Sequence, residues 1–245
     1  MQAIKSLGRA YLYAMRSVRR HIQAWRIPKR PPDRKWMSAL SFGSVVSIQR
    51  GAARYSYRGI RMMKNPFDLA LYQLLFWDIK PQTVIEVGSK MGGSALWFGD
   101  LMQTYGIDGR VISVDLNPPD PPIRRSNVGY LKGNALHFEK TLTPDVLANV
   151  RHPVLFVEDS AHFPETSLAA MEFFDRVSKP GDFMVIEDGD VIDAAIAHKY
   201  RGGPGVAIAE FLSKNGDRYR VDATYCDFYG YNFTASPNGY LRRIA

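Results

Sequence analysis

A doubly wound α/β fold with a mostly parallel sheet is what this sequence predicts, preceded by a basic amphipathic helix. Three observations lead there. Short β-branched runs alternate with longer apolar-periodic stretches from residue 64 onward, which demands a parallel sheet covered by helices on both faces. A glycine-rich turn joins the first run to the helix after it. A carboxylate, Asp115, closes the second run.

The first run is Thr83 to Val87, TVIEV, and Gly88 leads it into a turn that reopens as a helix at Gly92-Gly93-Ser94. Glycine is needed where a ligand must approach backbone that a Cβ would block, and the helix start offers free N–H groups. The second run, Arg110 to Val114, ends in Asp115, the place where such a sheet puts the carboxylate that holds ribose hydroxyls. The ligand should therefore contain a nucleoside. A dinucleotide would want G-x-G-x-x-G, whereas the pattern here is E-x-G-x-x-x-G-G-S. Glu86 would repel a pyrophosphate and suits a ligand with a cationic amino group and a sulfonium, which points to S-adenosylmethionine rather than NAD. Glu86, Gly88, Ser89, Gly92, Ser94 and Asp115 are the expected contacts.

The remaining elements follow in order. Asn65 as cap and Pro66 at the first helical position start a mostly apolar helix that Pro81 ends. Further strands are expected at 128–131, 154–157 and 183–186, and helices at about 144–150, 164–177 and 206–212. The tail at 219–222 and 239–243 should supply final strands, one of them antiparallel. The loop 116–127 holds Pro118, Pro119, Pro121 and Pro122 and is a stiff cover for the adenosine side.

With 245 residues, 46% hydrophobic, the chain suits one catalytic domain, expected over 64–245, after a helical extension and linker over 1–63. The net charge of +8 is local. Residues 1–36 hold ten basic side chains against Asp33, which is +9 and leaves −1 for the remainder. A polyanion-binding surface on the domain is thus excluded, and no nucleic acid partner is expected. Ile4, Leu7, Tyr11, Met15, Val18, Ile22 and Trp25 form one apolar stripe at helical spacing, with Lys5, Arg9, Arg16, Arg19 and Arg20 to one side. Such a helix docks its stripe on the domain or on a second subunit, giving a homo-oligomer, or else lies in an anionic membrane interface through residues 1–30. Pro28, Pro31 and Pro32 break it, Lys29 to Lys35 reads as a linker, and the stretch to Met63 shows no clear period. A single cysteine, Cys226, excludes an internal disulfide and is expected to be a packed thiol in a reducing compartment. With no long apolar run, the cytoplasm is the expected location, with peripheral membrane contact through the extension.

Chemistry collects at the carboxyl ends of the strands. Glu158-Asp159-Ser160-Ala161-His162 follows one strand and Glu187-Asp188-Gly189-Asp190 the next. Adjacent strands would bring Asp159, Glu187 and Asp188 together, a repulsive cluster that a hard divalent cation with oxygen ligands relieves; Mg2+ is the expected ion. His162, three residues after Asp159, is placed to take a proton from a substrate hydroxyl.

The segments KNPFDLALYQ, IEVGSKMGGSALWF, VISVDL, EDSAH, VIEDGD, GGPGVAIAEFL and SPNGYLRR resemble, in order, those of the cephalosporin hydroxylase and rhamnosyl O-methyltransferase family. That family is similar to the magnesium-dependent sugar O-methyltransferases of macrolide biosynthesis, and the resemblance runs from about Lys64 to Arg243. It implies a Rossmann-like class I methyltransferase domain and methyl transfer from S-adenosylmethionine to a hydroxyl, most simply of a sugar. It also implies that Asp159 binds the metal, that His162 is the base, and that Asn134 and Ala135 contact adenine. The cephalosporin hydroxylase relatives carry Asp where this chain has Ala161, which leaves the pocket less acidic and departs from the β-lactam substrate. A tailoring enzyme acting on a non-sugar natural product is the alternative within the family. Outside it, Glu86 and the glycine spacing oppose a Rossmann oxidoreductase, the nucleoside features oppose a hydrolase, and the acids at strand ends oppose a simple membrane-binding module. One histidine near the cluster is too few for a two-His-one-carboxylate iron site.

Overall fold

A computed structural model describes residues 2–26, 34–120 and 122–245. The extension forms α1 (Gln2–Arg26), α2 (Phe42–Ala52) and a two-stranded antiparallel hairpin, β1 (Ser56–Tyr57) and β2 (Ile60–Arg61). There follow α3 (Pro66–Ile79), β3 (Thr83–Val87), α4 (Gly93–Thr104), β4 (Arg110–Asp115), β5 (Val128–Lys132), α5 (Pro144–Leu147), β6 (Val154–Glu158), α6 (Pro164–Val177) and β7 (Phe183–Ile186). The chain closes with α7 (Pro204–Asn215), β8 (Tyr219–Val221), α8 (Ala223–Cys226) and β9 (Tyr240–Arg243).

Seven strands make one sheet in the order β5-β4-β3-β6-β7-β9-β8. The first five are parallel, and β9 runs antiparallel to both β7 and β8. β3 is central, with all five residues buried, as a strand covered on both faces must be. Ile85, Val87, Ile112, Val114 and Phe156 pack on one side with Phe174 of α6 and Phe211 of α7. Val84, Val111, Leu155 and Val157 pack on the other with Tyr72 and Phe76 of α3 and Phe98 of α4. Phe156 stacks on Phe174 with centroids 4.4 Å apart, and Phe76 on Phe98 at 5.5 Å. The chain runs from β3 through β4 to β5 on one side and returns through β6 on the other, so a crevice opens at the carboxyl ends of β3 and β6.

Local chemistry sets the boundaries. Asn65 accepts from the Phe67 N–H at 2.9 Å, Pro66 takes the first turn, and Lys80 ends α3 in the left-handed region before Pro81. Cys226 is fully buried, and burial pushes its thiol up to about 12, as a packed thiol requires.

The extension differs from expectation in two respects. Residues 34–63 carry structure and pack on the domain: Trp36 joins the core on one face of the sheet and Met62 that on the other. The boundary drawn at residue 63 therefore cuts across packing that residues 36 and 62 share with the rest of the domain. Its weak period reflects a helix of only three turns followed by a hairpin. The expected docking of the α1 stripe on the domain is corrected as well. Contact with α2 is made by Tyr13, edge-on to Phe42 at 5.4 Å, and by Arg16 over the same ring, while Arg20 donates to the Leu40 carbonyl, two residues before α2, at 2.9 Å. Leu7, Tyr11, Met15, Val18 and Ile22 remain exposed, because a buried guanidinium fixes the opposite face inward. The proline break and linker read at 28–33, and Pro121, lie outside the described residues.

Candidate active site

A cavity of 550 Å³ opens at the carboxyl ends of β3, β4, β6 and β7. Backbone hydrogen bonds extend the ladder past the strand ends and knit its floor: Gly88 N to Val114 O at 2.8 Å, Asp159 N to Val87 O at 2.9 Å, and Glu187 N to Glu158 O at 2.9 Å. Gly88, at φ 94°, lies so near β6 that a Cβ there would stand 1.9 Å from the Asp159 carbonyl oxygen. The glycine is required by that approach.

Ten of the twelve residues expected from sequence line this cavity: Gly88, Ser89, Ser94, Asp115, Asn134, Ala135, Asp159, His162, Glu187 and Asp188. Glu86 and Gly92 do not. The Glu86 side chain is fully buried behind the loop, where Oε2 accepts from Ser113 Oγ at 3.2 Å and Oε1 has no hydrogen-bond partner. Strand alternation turns residue 86 away from the face that residue 87 presents. Burial raises its carboxyl, against the pull of Lys64. Gly92 is closed off by Pro119, Ile123 and Tyr130, whose hydroxyl donates to the Gly92 carbonyl at 3.0 Å. The proline-rich loop thus covers the glycine turn.

Asp115 closes on the turn through its carboxylate. Oδ2 accepts from the Lys90 N–H at 2.7 Å and Oδ1 from the Asn117 N–H at 2.8 Å. Ser89, 4% exposed, aims an unpartnered hydroxyl into the same space.

On the other side, ligand atoms of Asp159, His162 and Asp188 all lie within 4.8 Å of one another, close enough to share one cation. His162 Nδ1 is 2.9 Å from Asp188 Oδ2. Burial opposes charge on the imidazole, but Asp188, Asp159 and Glu158 outweigh it and push His162 up to about 9. The same pairing holds Asp188 below the usual carboxylate range despite burial, while burial and its acidic neighbours hold Asp159 well above it, against Lys64. Both His162 (φ 60°) and Asp188 (φ 56°) adopt the left-handed conformation, which non-glycine residues keep only where surroundings impose it. Nearby, Glu158 braces the loop, accepting from the Ser160 N–H at 3.1 Å and from the Ser160 and Ser167 hydroxyls.

Glu187, expected among the metal ligands, stands apart from this group. Its Oε1 accepts from Lys64 Nζ and from the Tyr72 hydroxyl, each at 2.5 Å, so it stands in an internal ion pair outside the three-residue group. Lys64 also donates to Asp159 Oδ2 at 2.6 Å. Sequence reasoning used Lys64 only to mark the start of α3; three clustered acids without a counter-charge were the available signal. It also missed the wall opposite the glycine turn. There α2 presents Ile48, Gln49 and Ala52, followed by Ala53, and Gln49 donates to buried Asp190 at 3.2 Å.

With a glycine turn and a strand-end carboxylate beside a cluster of acids and a histidine at the switch of a doubly wound sheet, the class is an S-adenosylmethionine-dependent O-methyltransferase, as its relatives show. The chain belongs to the Rhamnosyl O-methyltransferase/CmcI family, whose model matches residues 49–244. It is 27% identical over 197 residues to the Rhamnosyl O-methyltransferase of Mycobacterium leprae (strain TN), a match covering 77% of this chain and 82% of that protein. An apo structure of CmcI matches with a TM-score of 0.63 and 29% identity over 79% of this chain and 77% of the other. CmcI with Mg and SAM matches with a TM-score of 0.60, again at 29% identity, over 79% and 78%. Among the described residues no helix is long and apolar enough to cross a membrane.

Proposed function

We propose that the chain transfers a methyl group from S-adenosylmethionine to a sugar hydroxyl in a magnesium-dependent reaction. The carrying observation is the convergence of Asp159, His162 and Asp188 in the cavity that also holds the Gly88 turn and Asp115. The rhamnosyl O-methyltransferase relatives support a sugar acceptor, and the CmcI structure with Mg and SAM supports the cofactor pair.

In this reading Asp115 holds the ribose, as a carboxylate at the end of the second strand does in this fold. The Gly88–Ser89 backbone and Ser94 line the methionine end, and Asn134 and Ala135 line the adenine. Glu86 acts from behind the turn by charge. Asp159 and Asp188 offer hard oxygen ligands that fit magnesium, and their crowding is what a divalent cation relieves. When bound, that ion supplies Lewis-acid polarisation of a hydroxyl and neutralises the carboxylates. Glu187 completes the set only if Lys64 releases it. His162 accepts the hydroxyl proton in its neutral form, which the acids around it disfavour and a cation held by Asp159 and Asp188 would favour, and Asp188 stands 2.9 Å from Nδ1. The walls align oxygen, methyl carbon and sulfur, so proximity supplies much of the rate.

Two experiments test the reading. Turnover should vanish in excess chelator and return with magnesium; full activity in chelator overturns the metal dependence. Deleting the gene should leave a glycoside unmethylated, and accumulation of a compound without sugar would move the assignment to the natural-product alternative.

A further inference from the structure

Helix α1 presents two faces of opposite fate. At 100° per residue, Tyr13, Arg16 and Arg20 fall on one side; the first two are held against Phe42 of α2 and Arg20 against the Leu40 carbonyl just before it. Leu7, Tyr11, Met15, Val18 and Ile22 fall within a sector about 80° wide on the opposite side, along about 22 Å of helix. All five are at least half exposed, from 50% at Ile22 to 71% at Leu7. Isolated exposed apolar residues are ordinary, but an unbroken stripe of five marks a surface meant to be covered.

The outward orientation is imposed. Arg20 is buried, its guanidinium donating to the Leu40 carbonyl and standing 3.8 Å from the fully buried carboxylate of Asp193. Turning the stripe onto the domain would require about half a turn of the helix, and would leave that carboxylate without its cation. The chain therefore cannot cover the stripe with its own domain while keeping this contact.

Charge selects what covers it. Residues 2–26 carry Lys5, Arg9, Arg16, Arg19, Arg20 and Arg26 and no acid, and Arg9, Arg16 and Arg19 are exposed. A second copy laid stripe to stripe would bring the exposed Arg19 at the edge of each stripe against a helix that carries no carboxylate to compensate it. An anionic lipid surface is the complement: acyl chains take the apolar sector while headgroups neutralise Arg19 at its edge. The helix is too basic to span a bilayer and would lie in its plane. We infer that α1 is a peripheral membrane anchor, docking its Leu7–Ile22 stripe into an anionic bilayer with the domain held on its far side through Tyr13 and Arg20. Because α2, against which α1 is held, also walls the cavity, the anchor sits beside the site.

The test uses the full-length protein and vesicles of phosphatidylcholine with or without phosphatidylglycerol. The protein should sediment with the anionic vesicles and stay in solution with the neutral ones, and binding should fall at least tenfold as salt rises from about 0.05 to about 0.5 M. The double substitution Met15→Glu and Val18→Glu should abolish sedimentation while S-adenosylhomocysteine affinity stays within twofold, which shows an intact domain. Should that variant misfold, Arg19→Glu, exposed at the edge of the stripe, decides by weakening anionic binding alone. Failure of the full-length protein to sediment, or equal binding to neutral vesicles, overturns the inference. So does a monodisperse dimer that the stripe substitutions dissociate, since the stripe would then belong to a second copy.

Discussion

Lys64 Nζ lies 2.5 Å from Glu187 Oε1, and the lysine side chain is 1% exposed. The ammonium also bonds Asp159, so one cation supplied by the residue before the α3 cap compensates two acids from different strand ends. Burial alone would lower its pKa, but Asp159, Glu187 and Glu86 hold it raised and charged. Removing one partner of a buried pair strands the other in low dielectric, at a cost of about 3–5 kcal/mol. Lys64→Met should lower thermal stability by that order in metal-free protein, and added magnesium should restore part of it. A variant as stable as the wild type would show that water already compensates these acids.

The His162 and Asp188 pair sets a pH dependence. The folded pKa, about 9, lies above the unfolded value of about 6.5. The stabilisation from this pair is therefore fully present below about pH 6.5 and is lost as pH rises through about 9. Histidine titration by NMR on metal-free protein should place His162 well above 6.5. Magnesium should shift it downward, because a cation on Asp159 and Asp188 removes the charges that raise it. An imidazole at 6.5 that ignores magnesium would separate His162 from the carboxylates and from the base role.

Asp115 anchors the glycine turn through Lys90 and closes β4. Asp115→Ala should weaken S-adenosylhomocysteine binding by about 1–3 kcal/mol, as loss of a charged hydrogen bond does. Calorimetry reads this directly, and unchanged affinity would remove Asp115 from the nucleoside site.

Gly88 has no room for a methyl group. Gly88→Ala would force the turn away from the Asp159 carbonyl and place alanine at a positive φ, so cofactor binding should be lost together with at least about 2 kcal/mol of stability. Denaturant unfolding beside calorimetry checks both, and a stable variant that binds normally would contradict the close approach.

Much of this protein follows from its sequence by itself, because the governing forces there are local. Alternating β-branched runs and helical periods specify the parallel sheet, Asn65-Pro66 the start of α3, and Gly88 with Asp115 the strand-end turn. The ordering of Asp159, His162 and Asp188 after β6 and β7 brought them to one mouth, since parallel neighbours end together. Tertiary structure alone decided the rest. A one-residue alternation on β3 sent Glu86 behind the turn it was expected to line. Lys64, distant in sequence from both acids, captured Glu187, because burial makes an uncompensated carboxylate expensive and the nearest cation is drawn in. Which face of α1 turns inward could not be read from its amphipathic period: the stripe alone would favour burial. The pairing of Arg20 with Asp193 is a contact between residues 173 positions apart, and only folding brings them together to turn that stripe toward solvent.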